Sequence, residues 1–170
     1  DEPMLCAMGA ILEYICVTQK TQDIEYMNNL NVYGEGQYLE MDLNTRRNLE
    51  LCESMRTKEK RGSLYWVLDK TKTAMGARLL KQWIEHPLTN ITEILSRQQA
   101  VEELCDSFML REELREYLSP VLDLERLITK VSYGTAGGRD LRAICQTLSI
   151  VPAVREALTD MGSGALAEIF

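Results

Sequence analysis

The sequence predicts an all-α protein, a multi-helix bundle entered through one short extended segment. Three observations predict it. Apolar residues recur three and four positions apart from residue 42 onward, the spacing that collects them on one face of a helix. Residues able to accept a hydrogen bond from a free backbone N–H stand just before most of these runs. After Gly62 nothing alternates with the period of two that a half-buried strand requires.

The elements follow in order. Pro3 suits the first turn of an opening helix, and Leu5, Met8, Leu12, Ile15 and Cys16 fall on one face of it. That helix fades near Thr18 and Thr21. Residues 22–37 carry two glycines and three asparagines with little periodicity, so they read as a connector. A short β-type run follows at 38–41. A second helix starts at Asp42 or Asn44 and puts Leu43, Leu51 and Met55 towards one side. The basic stretch RTKEKRG (56–62) reads as an exposed loop or a frayed helix end.

Ser63 caps a short helix in LYWVLD, and Thr73 caps AMGARLLKQWIEH, which Pro87 stops. Met75, Leu79, Leu80, Trp83 and Ile84 form the apolar stripe of the latter. Asn90 or Thr92 opens EILSRQQAVEELCD, with Ile94, Leu95, Val101 and Leu104 expected inward. LREELREYL (110–118) and DLERLITKV (123–131) flank Pro120. Helices at 139–148 and 152–158 complete the set, and Gly162 and Gly164 loosen the end.

Composition narrows the function classes. Of 170 residues, 45% are hydrophobic and 26% charged, which is ordinary for a globular chain. No run approaches the roughly 18 unbroken apolar residues of a membrane span. The most apolar segment, LCAMGAILEYICV (5–17), contains Glu13 and lacks the basic flank of a signal peptide. A cytoplasmic protein without membrane partners is the expectation. The start at Asp1 instead of Met suggests a piece of a longer polypeptide. Five cysteines at wide, irregular spacing and a single histidine, His86, argue against a zinc site or a disulfide framework.

The net charge of −7 is unevenly spread. Residues 1–41 carry one Lys and seven acids, residues 42–83 ten Lys/Arg and five acids, and residues 84–170 eight Lys/Arg and fourteen acids. Proteins that grip DNA through phosphates show a basic surplus, and here only the middle third supplies one. Autonomous nucleic-acid binding is therefore not expected.

Motifs for chemistry are scarce. The phosphate-binding pattern G-x-x-x-x-G-K-S/T is absent. Its nearest imitation, TKTAMGAR (71–78), offers a helix start with cations nearby, but Thr73 as a plain cap and Gly76 as a packing residue explain it better. G-x-S-x-G is absent too, and His86 has no defined partner for general-base work. The paired acids Glu102–Glu103 and Glu112–Glu113 read as solvated helix faces. No catalytic, cofactor-binding or metal-binding residue is assigned, and none that contacts DNA.

TRRNLEL (45–51) is the stretch that invites a role. On a helix, Asp42, Arg46 and Glu50 lie four apart, so Arg46 can bridge two carboxylates. Arg47 sits about 100° further round and needs a partner on another helix, for which DLER (123–126) offers Asp123 and Glu125. No aromatic residues interleave with the arginines to stack on bases. The spacing favours a structural joint built from Arg46, Arg47, Asn48, Asp123 and Glu125.

Five stretches in order, MDLNTRRNLEL, GSLYWVLDKTKTAMGARLLKQWIEHPL, RQQAVEEL, LREELREYLSPVLDLERL and SYGTAGGRDL, resemble the core (lever) domain of the MutS family of bacterial DNA mismatch repair proteins. The resemblance runs from about residue 38 to 160. The opening helix resembles the last helix of the α/β connector domain that precedes the core in that family. In TAGGRDL, Gly138 stands where the family commonly has proline. The implied organisation is a connector-domain helix at 1–21, a linker at 22–41 and the first portion of a lever-type helical domain at 42–170.

The resemblance further implies a dimeric, ATP-dependent sensor of mismatched duplex DNA. Its ATP and Mg would be held by one domain and its Phe-x-Glu DNA reader by another, with this stretch between them as a non-catalytic lever without a cofactor. Its partners would be the remaining domains of the same polypeptide. A core completed by a later segment would leave an apolar patch open here. The rival expectations are an independent α-helical protein–protein interaction module and, less in keeping with the motifs, a small helical enzyme.

Overall fold

The structure is a computed structural model and describes residues 2–20, 36, 38–159, 161, 162 and 166. Most of the connector expected at 22–37, and Gly164, lie outside the described residues. The chain divides into two units, Asp1–Gly34 and Glu35–Phe170. The described residues contain nine α-helices and no strand. The fold is all-α.

In the first unit, α1 (Glu2–Gln19) covers the expected apolar segment. Met8, Leu12, Ile15 and Cys16 are half-covered, whereas Leu5 is exposed together with Ile11, Tyr14 and Val17.

The second unit begins with the extended segment. Tyr38 forms one antiparallel bridge with Leu88, and the Leu39 N–H donates to the Pro87 carbonyl at 2.8 Å. The Thr89 hydroxyl donates to the Gly36 carbonyl, and the Tyr38 and His86 rings meet edge-on at 5.9 Å. The run at 38–41 is thereby clipped to the turn that follows α4.

α2 (Leu43–Asn48) is far shorter than the spacing predicts. Asp42 caps it, its carboxylate accepting from the Thr45 N–H at 2.6 Å. Glu50 then adopts φ +48°, the left-handed region that ends a helix. Its carboxylate takes the Met55 N–H at 2.6 Å, and its carbonyl takes the Leu64 N–H at 3.0 Å. Neighbouring Leu51 gives its carbonyl to the Tyr65 N–H. The carbonyls after α2 thus satisfy orphan donors at the start of α3 (Leu64–Leu68). The predicted Asp42–Arg46–Glu50 ladder does not form, because Asp42 is the cap and Glu50 lies beyond the helix.

Caps decide the remaining starts. Ser63, only 1% exposed, accepts from the Trp66 N–H and donates to the Lys60 carbonyl. Thr73 caps α4 (Ala74–Glu85), accepting from the Gly76 N–H at 3.0 Å. Asn90, not Thr92, caps α5 (Ile91–Asp106). A single residue, Ser107, separates α5 from α6 (Phe108–Leu118). Arg111 bends back there to donate to the Leu104 and Cys105 carbonyls at 3.1 and 3.0 Å. Asp123 caps α7 (Leu124–Ser132), and α8 (Gly138–Leu148) and α9 (Val151–Leu158) follow.

Helix pairs α3 with α4, α5 with α6, α6 with α9 and α7 with α8 pack together. Leu158 (4% exposed) and Leu166 (7%) are the buried apolar side chains among the described residues, and Thr147 (1%) is buried with them. The apolar stripes are only partly covered. Leu95 and Val101, expected inward, are exposed, and so are Leu79 and Trp83. An open groove of about 670 Å³ runs along Trp83, Leu88, Ile94 and Val101, with the Arg97 guanidinium 3.8 Å from the Trp83 ring centre.

Candidate functional site

The most connected side-chain cluster joins α4 to α7. Arg78 on α4 forks onto Asp123, Nη1 donating to Oδ2 at 2.9 Å and Nη2 to Oδ1 at 2.6 Å. Nη2 also lies 2.7 Å from Glu125 Oε2. This bidentate geometry is the strong form of an arginine–carboxylate contact. The Arg78 hydrogen bond is the largest cause holding the Asp123 carboxyl below its ordinary range, and Arg78 is held above its own in return. Asp123 also caps α7 through the Arg126 N–H, so one carboxylate starts a helix and ties it to another. Lys130 bonds Asp140 at 2.8 Å between α7 and α8, and Asp140 accepts from the Gly137 N–H at the start of α8.

The acids predicted for Arg47 therefore belong to Arg78. Arg47 is exposed and borders a cavity of about 210 Å³ with Leu43, Arg46, Leu51, Cys52, Glu53 and Glu85. Arg46 is half-buried, and its Nε is buried with no hydrogen-bond partner. Asn48 is exposed at the last position of α2. The structure thus separates the five residues: Arg46, Arg47 and Asn48 on the α2 side, Asp123 and Glu125 on the α4–α7 contact. Beside the cavity, burial and then the Glu85 charge push the Cys52 thiol up to about 11. Arg78 is not marked by the sequence because it lies off the apolar stripe of α4, and the nearer of its acids, Asp123, stands 45 residues away.

A double-mutant cycle checks the correction. Arg78→Ala and Asp123→Asn are expected to be non-additive in urea unfolding, whereas Arg47→Ala and Asp123→Asn add. Asparagine keeps a capping oxygen, so the cycle isolates the charge. The folded-state pKa of Asp123 is depressed, so its contribution is present above the unfolded value of about 3.8. It is lost as pH falls through the lower folded value. The coupling therefore vanishes at strongly acidic pH.

Other positions with chemical potential are occupied by structure. At the start of α4 the Gly76 N–H is already bonded to Thr73, and Arg78 is committed to its two acids. A Cβ at Gly76 would come 3.0 Å from Thr73 Oγ1, so the glycine permits close packing. Nucleotide phosphates need several free N–H groups and a lysine at one turn, and this turn does not fit them. Among the described residues no group of three His, Cys, Asp or Glu is placed to hold a metal ion. No described helix is long and apolar enough to cross a membrane.

Capped helices tied by long-range ion pairs define an all-α domain. Residues 44–168 match the family of MutS domain III, and the chain belongs to the MutS family of DNA mismatch repair proteins. It is similar to the DNA mismatch repair protein MutS of Lachnoclostridium phytofermentans, 47% identical over 163 residues that cover 96% of this chain and 17% of that protein. Similarity to MutS of Acetivibrio thermocellus is 49% over 155 residues, covering 91% and 18%. For MutS of Bacillus cytotoxicus it is 43% over 166 residues, covering 98% and 18%. The chain spans less than a fifth of the length of these relatives.

Proposed function

We propose that this chain is a mechanical connector in mismatch repair. It passes changes in nucleotide state elsewhere in a MutS-type protein to the parts that grip mismatched duplex DNA. On this reading it performs no reaction and holds no cofactor. ATP and Mg belong to another domain of the parent protein, which acts as a cytoplasmic homodimer, and DNA is contacted mainly through other domains. The observation that carries the reading is the Arg78–Asp123–Glu125 clamp, because a connector must hold its helices in fixed register. The family match supplies the context. An independent interaction module is the second reading, favoured by the open Trp83–Val101 groove.

Two measurements test the proposal. The purified chain is expected to turn over no ATP, and turnover would end the non-catalytic reading. In a full-length MutS-family protein carrying this chain, Arg78→Glu is expected to leave basal ATP turnover near wild type. Release of mismatched duplex on ATP addition should be slowed. Unchanged release in a folded variant would rule out the connector role.

A further inference from the structure

One surface feature is not used by the clamp. Residues 56–72 carry six Lys/Arg against two acids, while the other 153 residues carry thirteen against twenty-four. A positive patch thus stands on a negative chain. Its two acids scarcely dilute it. Asp69 is consumed by Lys60 and by the Thr71 N–H and hydroxyl, leaving Glu59. The Lys60–Asp69 ion pair also sets the geometry, drawing the loop before α3 against the turn before α4. Arg61 and Lys70 are the immediate neighbours of the paired residues, and consecutive Cα atoms lie about 3.8 Å apart. Lys58 stands two residues before Lys60, and Lys72 three residues after Asp69.

Arg56, Lys58, Arg61, Lys70 and Lys72 are all exposed, and among the described residues none of their side chains is engaged in a hydrogen bond or ion pair. Further along the chain the pattern reverses. Every Lys and Arg from Arg78 to Lys130 has a partner: Arg78, Lys81, Arg115, Arg126 and Lys130 hold carboxylates, Arg97 covers Trp83 and Arg111 holds carbonyls. Five unengaged cations gathered by one internal ion pair fit a ligand with closely spaced, regularly repeated negative charge.

We propose that the face formed by residues 56–72 is a contact surface for the phosphodiester backbone of duplex DNA, bound without regard to base sequence. The identity of the polyanion rests on the mismatch-repair reading above. The charge arrangement does not. Duplex DNA carries a negative charge about every 1.7 Å of axis, and each phosphate contact contributes about −0.9 to the slope of log affinity against log salt. On a chain of net charge −7 the contact is weak at physiological salt and emerges as salt falls.

The test is a fluorescence-anisotropy titration of a labelled, fully paired duplex with the chain, from about 20 to 150 mM salt. Two variants of equal net charge are compared, both checked for wild-type helix content by circular dichroism. Arg61→Ala, Lys70→Ala and Lys72→Ala together remove three of the five unengaged cations of the patch. Lys20→Ala, Arg139→Ala and Arg142→Ala remove three exposed cations elsewhere. The patch variant is expected to lose at least tenfold in affinity at low salt, with a slope shallower by about 2–3. The other is expected to stay within about threefold.

Equal loss in both variants would reduce the effect to net charge and overturn the proposal, as would no binding by the wild type at low salt. Binding of polyglutamate as tight as that of DNA at matched charge would overturn the choice of ligand. The patch residues lie outside the Arg78 clamp, so failure here leaves the ATP-driven release experiment standing, and the reverse holds too.

Discussion

Replacing Leu158 with alanine is expected to destabilise the chain by about 2–4 kcal/mol, the usual range for truncating a buried leucine. Leu158 closes α9, which packs on α6, and it is 4% exposed in a molecule whose apolar stripes are mostly half-covered. Among the described residues few fully buried apolar side chains share the load, so the loss of one is felt. Urea unfolding followed by circular dichroism would read it as a lower midpoint at unchanged slope. Leu158→Met, which roughly conserves volume, should lose less than about 1.5 kcal/mol. A midpoint unmoved by Leu158→Ala would mean that the α6–α9 contact is not part of the cooperative fold.

Thr147→Val is expected to have the second-largest effect, about 1–2 kcal/mol, although it preserves shape. Thr147 is 1% exposed on α8, and its hydroxyl accepts from the Leu122 N–H at 3.3 Å. That N–H belongs to the turn just before α7, so valine leaves a partly buried donor without a partner at the entry to the clamp. Thr147→Ser keeps the acceptor and should recover the hydrogen-bond part of the loss, at the expense of one methyl group. If serine and valine behaved alike, packing and not the hydroxyl would be the important feature.

Much of the fold was legible because the relevant information is local. Ser63, Thr73, Asn90 and Asp123 are cap residues written beside the helices they start, and each accepts a backbone N–H there. α2 was misread because periodicity in Leu43, Leu51 and Met55 says nothing about the left-handed turn at Glu50. That conformation depends on Met55 and Leu64 being in place to take its oxygens. Leu95 and Val101 fall at core spacing yet remain exposed, since spacing marks which face is apolar and not what covers it.

The clamp shows a similar boundary. Asp123 and Glu125 do meet an arginine of another helix. Which arginine reaches them is set by how α4 lies on α7, and the pattern of one helix does not contain the direction of the next. Arg47 was the conspicuous candidate because it stands in a doublet, but Arg78 is the one within reach.

The corner between α5 and α6 has a consequence for how this chain tolerates change in length. Ser107 ends one helix and precedes the next, and Arg111 stitches the two by reaching back to carbonyls six and seven residues earlier. Inserting one residue there would change the direction in which α6 leaves α5 and carry the guanidinium off its carbonyls. Substitution at Ser107 is tolerable in principle, whereas insertion or deletion is not. Natural variation at this corner should therefore be found in spelling, never in count.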